Sequence, residues 1–405
     1  MRIRTFQGLR PTPELAPKVA SLPYDVVNTE EARKLAEGNP LSMLHVVRAE
    51  IDLPDGTDPH SDAVYAKAVE NFKRLQSEGA LVREGEATLY VYQQKMGDHT
   101  QRGVVGLCHA DDYGAGLIKR HEKTRPDKEN DRTRLTSDLN ANSGPVFLTY
   151  KDDKEVTAAV EAIIANAPLF DFTAPDGIQH TVWRAQHADR LAAAFANVPA
   201  LYVADGHHRT ASAVRVANER AKANPNHTGE EDYNWFLTVM FPGSELKILP
   251  YNRAVHDLNG RSAEEMLDEV GFTCELTEDA DPTPTESGRV SMYLNGKWHG
   301  LKLDAPADAD PVSRLDVQIL QEQILTPLFG IDDPRTSDRV DFVGGIRGTD
   351  HLKQLVDSGQ AAAAFSMYPV TVQQLMDIAD AGQIMAPKST WFEPKLRSGL
   401  FIHTF

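Results

Sequence analysis

Cysteine is nearly absent: the 405 residues contain only Cys108 and Cys274, far apart and outside any CxxC spacing. A disulfide framework and a cysteine zinc site are therefore excluded. Basic residues are also in short supply, 42 Lys and Arg against 59 Asp and Glu, for a net charge of −17. Non-specific binding to nucleic acid rests on neutralising phosphates with Lys and Arg, so no nucleic-acid partner is expected. No apolar run approaches the ~20 residues of a membrane span, and Met1-Arg2-Ile3-Arg4 leads into no signal-peptide core. The chain reads as cytoplasmic, with no membrane partner. Several motifs are missing as well: G-x-x-x-x-G-K-[ST], G-x-G-x-x-G between strand and helix, G-x-S-x-G and H-E-x-x-H. The common nucleotide, dinucleotide, hydrolase and zinc-protease readings lose support with them.

The sequence is organised around one stretch that is present. Leu201-Tyr202-Val203-Ala204 reads as a short buried strand and Thr210 onward as a helix, with Asp205-Gly206-His207-His208-Arg209 between them. A strand that turns into a helix exposes unpaired N–H groups at the positive end of the helix dipole, which favours an anion. Gly206 permits close backbone approach, and Arg209 offers a fork of donors suited to phosphate or carboxylate. Singly, each residue has a plainer explanation: Asp205 as a helix cap, the histidines as turn residues, Arg209 as a surface ion pair. Together in one turn they point to a phosphate cradle.

The rest of the chain alternates short strands and helices, which predicts a mixed α/β or α+β fold. Leu44 to Val47 is expected as a strand. Trp235 to Phe241 and Leu246 to Leu249, on either side of Pro242-Gly243-Ser244, are expected to pair. From Lys128 the dense mixed charge predicts a solvated helix held by Lys128–Asp131 and Glu129–Arg132 pairs, with Pro126 blocking a regular helix before it. A texture change near residue 254 suggests two domains, 1–253 and 254–405. The C-terminal tail clusters Lys388, Ser389, Thr390, Lys395 and Arg397 among aromatic residues, so it is expected to fold back and bring Lys388, Ser389 or Thr390 to the cradle.

With these residues in view, the chain resembles the family catalogued as domain of unknown function 1015. The resemblance runs through Gly8-Leu9-Arg10-Pro11, Pro23-Tyr24-Asp25-Val26, His121-Glu122-x-Thr124, Lys128-Glu129-x-Asp131-Arg132, Ala204 to Arg209, and Pro387-Lys388-Ser389-Thr390. More distantly, the D-G-H-H-R turn with a His-Glu pair upstream is similar to free serine kinases of the ParB/sulfiredoxin superfamily. That resemblance implies a ParB/sulfiredoxin-like core with large insertions and a C-terminal α+β region. It implies that Gly206, His207, His208 and Arg209 hold nucleotide phosphates and that Glu122, beside His121, acts as base. About eighty residues separate the His-Glu pair from Asp205, which departs from a compact single-domain kinase.

The combined expectation is an enzyme that moves a phosphoryl group from ATP or ADP to the hydroxyl of a small metabolite such as serine. Asp205 would hold Mg²⁺, and Arg132, Lys388, Ser389 and Thr390 would contact substrate. The alternatives are a phosphatase or nucleotide hydrolase using the same cradle, and a non-catalytic nucleotide-binding module. Oligomeric state leaves no signal in the sequence.

Overall fold

The computed structural model describes residues 1–334 and 336–405 and is a mixed α+β structure. It divides into two compact units: residues 1–120, 124–246 and 394–405 form the first, and residues 121–123 and 247–393 the second.

In the first unit, nine strands make one sheet: β1 (Ile3–Arg4), β2 (Tyr90–Met96), β3 (His99–His109), β4 (Ile118–Lys119), β5 (Val146–Tyr150), β6 (Phe170–Thr173), β7 (Gln179–Arg184), β8 (Leu201–Asp205) and β9 (Trp235–Pro242). The order across the sheet is β4-β8-β5-β9-β3-β2-β7-β6, with β1 added to β3. Alternation in β2 separates two faces. Val91 joins Val104, Leu148, Val203 and Met240 in a core shared with the helix Lys154–Ile164, while Tyr90 and Tyr92 pack against Phe401 at ring distances of 5.1 and 5.8 Å. Leu400, Phe401 and Ile402 are all buried, so the C-terminal segment is part of this unit's core. Burying each of these large side chains stabilises the fold by about 2–3 kcal/mol.

Helices α1 (Thr29–Ala36), α2 (Leu44–Val47), α3 (Asp62–Ser77) and α4 (Pro126–Leu139) build a separate core from Leu44, Val47, Val64, Phe72, Leu75, Leu135 and Leu139. Asn28 and Glu31 form a capping box on α1. Leu44–Val47, expected as a strand, is a single helical turn, with the Val47 N–H donating to the Met43 carbonyl at 3.0 Å. Leu44, Val46 and Val47 are all buried, and a continuous apolar run of four does not distinguish strand from helix. Pro126 does not delay α4: it occupies the first turn, where its missing N–H costs nothing. The expected pairs along α4 do not form. Asp131 is bonded to Arg132 at 2.7 Å and to the Tyr65 hydroxyl at 2.8 Å, and Glu129 accepts from Thr124 at 2.8 Å. This face of the helix is buried against neighbours rather than solvated, and tertiary partners displace local ones.

The expected pairing of Trp235–Phe241 with Leu246–Leu249 also fails. β9 already has β3 on one side and β5 on the other, so it has no free edge, and Gly243–Glu245 turns the chain away as a short 3₁₀ segment. Lys247–Leu249 pairs instead with Trp391–Glu393 inside the second unit.

The sheet of the second unit comprises β10 (Tyr251–Val255), β11 (Glu275–Glu278), β12 (Arg289–Leu294), β13 (Lys297–Lys302), β14 (Val340–Gly344) and β15 (Ala363–Met367), in the order β11-β13-β12-β15-β10-β14. Asn295 and Gly296 take φ values of 51° and 78° between β12 and β13, the left-handed pair that a two-residue hairpin needs. Tyr293, Val343 and Ala364 of this sheet share a core with Leu352 of the helix Gly348–Asp357. Among the described residues, no helix is long and apolar enough to cross a membrane.

Candidate functional site

The site in the first unit is built at the end of β8. Register against β5 slips between Val203 and Asp205, so a bulge re-aims the last residue of the strand. Gly206 follows at φ 91°, a left-handed conformation, and caps α5 (His207–Ala223) without a side chain. The helix thus begins three residues earlier than the apolar pattern suggests, and the histidines and Arg209 lie in its first turn. A Cβ on Gly206 would sit 3.0 Å from the Arg209 guanidinium. Gly206→Ala is expected to cost about 1–2 kcal/mol through φ strain and to push Arg209 aside. Urea unfolding of the variant checks this, and an unchanged midpoint would remove the constraint.

Asp205 is the charge centre of this turn. One carboxylate oxygen accepts the Gly206 N–H at 2.9 Å, and the other faces the Lys395 ammonium at 3.4 Å and the Arg209 guanidinium at 3.7 Å. Burial alone would raise its pKa, but Lys395, Arg209 and His207 outweigh it and hold the carboxyl well below the usual range. Arg209 also donates to the Pro145 carbonyl and keeps only 12% of its side chain exposed. It lines a small cavity of about 30 Å³ together with Ser143, Gly144 and Ser398.

Lys395 reaches Asp205 because a polar clamp fixes the C-terminal segment. Gln101 donates to Gln94 at 3.0 Å, and Gln94 donates to the Lys395 carbonyl at 2.8 Å, both glutamines being fully buried. Two residues on, Arg397 donates through Nε to His180 Nε2 at 3.1 Å and pairs with Asp176. With Nε2 accepting, the proton of neutral His180 sits on Nδ1 and points to the Tyr92 oxygen 2.7 Å away. Burial first, then Arg397, pushes the His180 pKa down to about 3, so the ring is neutral.

The histidines of the turn differ in role. His208 Nε2 accepts the Arg125 N–H at 3.0 Å and so braces the start of α4. Burial, as the largest influence, lowers its pKa, which keeps that acceptor unprotonated. His207 is 7% exposed beside Asp205.

The remaining candidates lie as follows. Arg132 is committed to Asp131, to the Val47 carbonyl at 3.3 Å and to the Tyr24 ring at 4.0 Å. In the second unit, His121 is buried and its carbonyl accepts the Met385 N–H at 2.8 Å, while Glu122 is half-buried. Lys388, at φ 58°, places its ammonium 5.5 Å from the Tyr251 ring centre. Ser389 is buried and donates to the Ala386 carbonyl at 2.7 Å, and Thr390 is half-buried. A lysine of the same cationic tail that was not singled out as a site residue, Lys395, lies beside Asp205 in the first unit. Its neighbours Pro394 and Arg397 carried the available signal, since a basic residue between buried anchors cannot be a solvated end. Cys108 is fully buried and its thiol is pushed up to about 12, so it is no nucleophile.

Chemically, this constellation suits an anion. Asp205 suits a divalent metal poorly, because two cations already face its second oxygen and would repel the ion. The expectation of Asp205 as a Mg²⁺ ligand does not fit this donor set.

A family model described as protein of unknown function (DUF1015) matches residues 3–318. No curated protein matches the chain. Among solved structures, a mutant free serine kinase in complex with ADP is 12% identical, covering 73% of this chain and 91% of that one at a TM-score of 0.37. SbnI with a C-terminal truncation, from Staphylococcus aureus, is 12% identical over 74% of this chain and 87% of its own, at 0.38. A conserved hypothetical protein from Pyrococcus furiosus is 13% identical over 73% and 93%, at 0.36.

Proposed function

Because the chain belongs to the DUF1015 family of proteins of unknown function, its activity has to be read from its site, and we propose that it is a nucleotide-dependent phosphotransferase acting on the hydroxyl of a small metabolite such as free serine. One observation carries this reading: two cations, Arg209 and Lys395, converge on the oxygen of an aspartate at a glycine turn that opens a helix. Phosphoryl transfer asks the protein mainly for positioning and for charge neutralisation around the phosphoryl oxygens.

In this reading the first-turn amides after Gly206, with Arg209, hold the phosphates of ATP or ADP, and the nucleotide supplies the group to be transferred. Lys395 exchanges its contact with Asp205 for a phosphate oxygen. His208 keeps the neighbouring loop in place through Arg125, and His207 adds a polar group at the start of the helix. Glu122 as base, with His121 beside it, is proposed on the sequence resemblance. The ParB/sulfiredoxin-like core is proposed on the same ground, whereas roles of Arg132, Lys388, Ser389 and Thr390 in holding the acceptor are proposed on their charge and the basic, aromatic-rich tail, and the domains 1–253 and 254–405 on the change of texture near residue 254. No step is assigned to Mg²⁺.

The test is calorimetric titration with ATP, ADP and CTP, followed by product analysis against a panel of hydroxy and amino acids. Nucleotide binding that is lost in Arg209→Ala, with a phosphorylated acceptor as product, is the expected result. Inorganic phosphate as the sole product assigns the cradle to a hydrolase, and binding without turnover to a regulatory module. Absence of nucleotide binding overturns the reading.

A further inference from the structure

A second cavity in the first unit, of about 190 Å³, lies between α4 and the segment 46–68. It has room for a small organic molecule of roughly six to ten non-hydrogen atoms. Tyr24, Val47, Arg132 and Leu135 line both this cavity and the small one beside Arg209.

The charges around this cavity do not cancel. Arg48 Nε lies 2.9 Å from Glu50, and Arg48 also donates to Thr29 at 2.9 Å, so these two charges neutralise each other. Asp131 and Arg132 form the second pair. Lys128 remains: it lines the cavity, is half-buried, and has no carboxylate partner among the described residues. It also occupies the third position of α4, where the positive helix end disfavours a cation. A lysine placed against the dipole and without an acid is costly for the fold alone, and both features attract an anion.

Tyr24 adds an independent sign. It is 7% exposed, with the Arg132 guanidinium stacked on its ring, yet its hydroxyl has no hydrogen-bond partner among the described residues. The hydroxyl oxygen itself is not sealed in the core, and Tyr24 lines the cavity, so the group is free to donate to a ligand there. Glu50, 5% exposed, uses one carboxylate oxygen for Thr29 and Arg48 and has its other oxygen for a ligand donor.

We propose that this cavity binds a small organic anion, its carboxylate or phosphate held by Lys128 and the Tyr24 hydroxyl and a hydroxyl or amino group of the ligand donating to Glu50. The site goes beyond the phosphotransferase reading and stands whether or not the 205–209 turn transfers a phosphoryl group.

The test is calorimetry on the full chain with glycerate, inorganic phosphate and uncharged glycerol as probes, in wild type, Lys128→Met, Tyr24→Phe and, as a control at the turn, Arg209→Ala. The Lys128 and Tyr24 substitutions both remove groups without protein partners, so thermal stability should hold and any change reports on the ligand. Binding of glycerate or phosphate, weakened about tenfold by Lys128→Met and severalfold by Tyr24→Phe, with glycerol silent, is expected. Glycerate alone marks a carboxylate site and phosphate alone a phosphate site. Three results would overturn the proposal: no binding of either anion up to about 10 mM, binding indifferent to both substitutions, or binding lost only in Arg209→Ala, which assigns the anion to the turn. ADP titration of Lys128→Met, with Kd unchanged, separates this outcome from failure of the phosphotransferase reading.

Discussion

If the chain is the phosphotransferase proposed above, replacing Lys395 with methionine is expected to lower phosphoryl transfer by about 10²–10³-fold, the range found when one preorganised donor to a developing charge is removed. Methionine keeps most of the apolar stem of the side chain but takes the positive charge away from Asp205. Arg209 remains 3.7 Å from that carboxylate, so the turn stays formed and the stability loss should be only about 1–2 kcal/mol. The split between the two readouts is the diagnostic. If transfer survives at the wild-type rate while stability falls, Lys395 is a strut for Asp205 and takes no part in the chemistry.

The same substitution has a pH signature. Asp205 is held below its ordinary pKa in the folded protein, so it contributes stability above the unfolded value of about 4, and that contribution is lost as pH falls from there through the depressed folded value. Without Lys395 the folded value rises toward the unfolded one. Acid unfolding of the variant should then lose one source of pH dependence below about pH 4, measurable as a shallower stability curve than that of wild type.

The largest stability effect is expected from Arg397→Ala, at about 3 kcal/mol. Arg397 is 3% exposed, and its removal leaves His180 Nε2 a buried acceptor with nothing to accept and cuts the link from the C-terminal segment to Asp176. Lys395, two residues away, should lose its fixed position as well, so activity falls along with the denaturant midpoint. The direction with pH follows from His180. Its folded pKa, about 3, lies below the ordinary value near 6.5, so the neutral ring adds stability that is complete above about pH 6.5 and is lost as pH falls toward 3. Over that interval each such histidine contributes a slope of about 1.4 kcal/mol per pH unit, and His403, lowered chiefly by burial, acts in the same direction. His180→Asn should flatten the curve between about pH 6 and 4, measured by urea unfolding at several pH values. A curve as steep as that of wild type would show that His180 is not the titrating group.

Much of this protein is written locally. The strand at 201–205, the sharp turn at Gly206, the capping box at Asn28 and Glu31 and the left-handed Asn295-Gly296 hairpin each depend on residues within a few positions of one another, so the sequence determined them by itself. What depends on distant partners was decided only by the tertiary structure. Leu44 to Val47 became a helical turn whose apolar residues Leu44, Val46 and Val47 all enter the helical core. Asp131 and Arg132 left the pairs that helix spacing offered them for Tyr65 and Tyr24, because burial makes a satisfied contact across the fold worth more than a solvated one along it. Within the first unit, Lys395 faces Asp205 for a similar reason. Which lysine of a basic tail meets a given carboxylate is fixed by where the backbone is anchored. Here the anchors are Gln94, Gln101 and His180, fully buried polar side chains whose hydrogen bonds must be met and whose partners lie more than two hundred residues away in the chain.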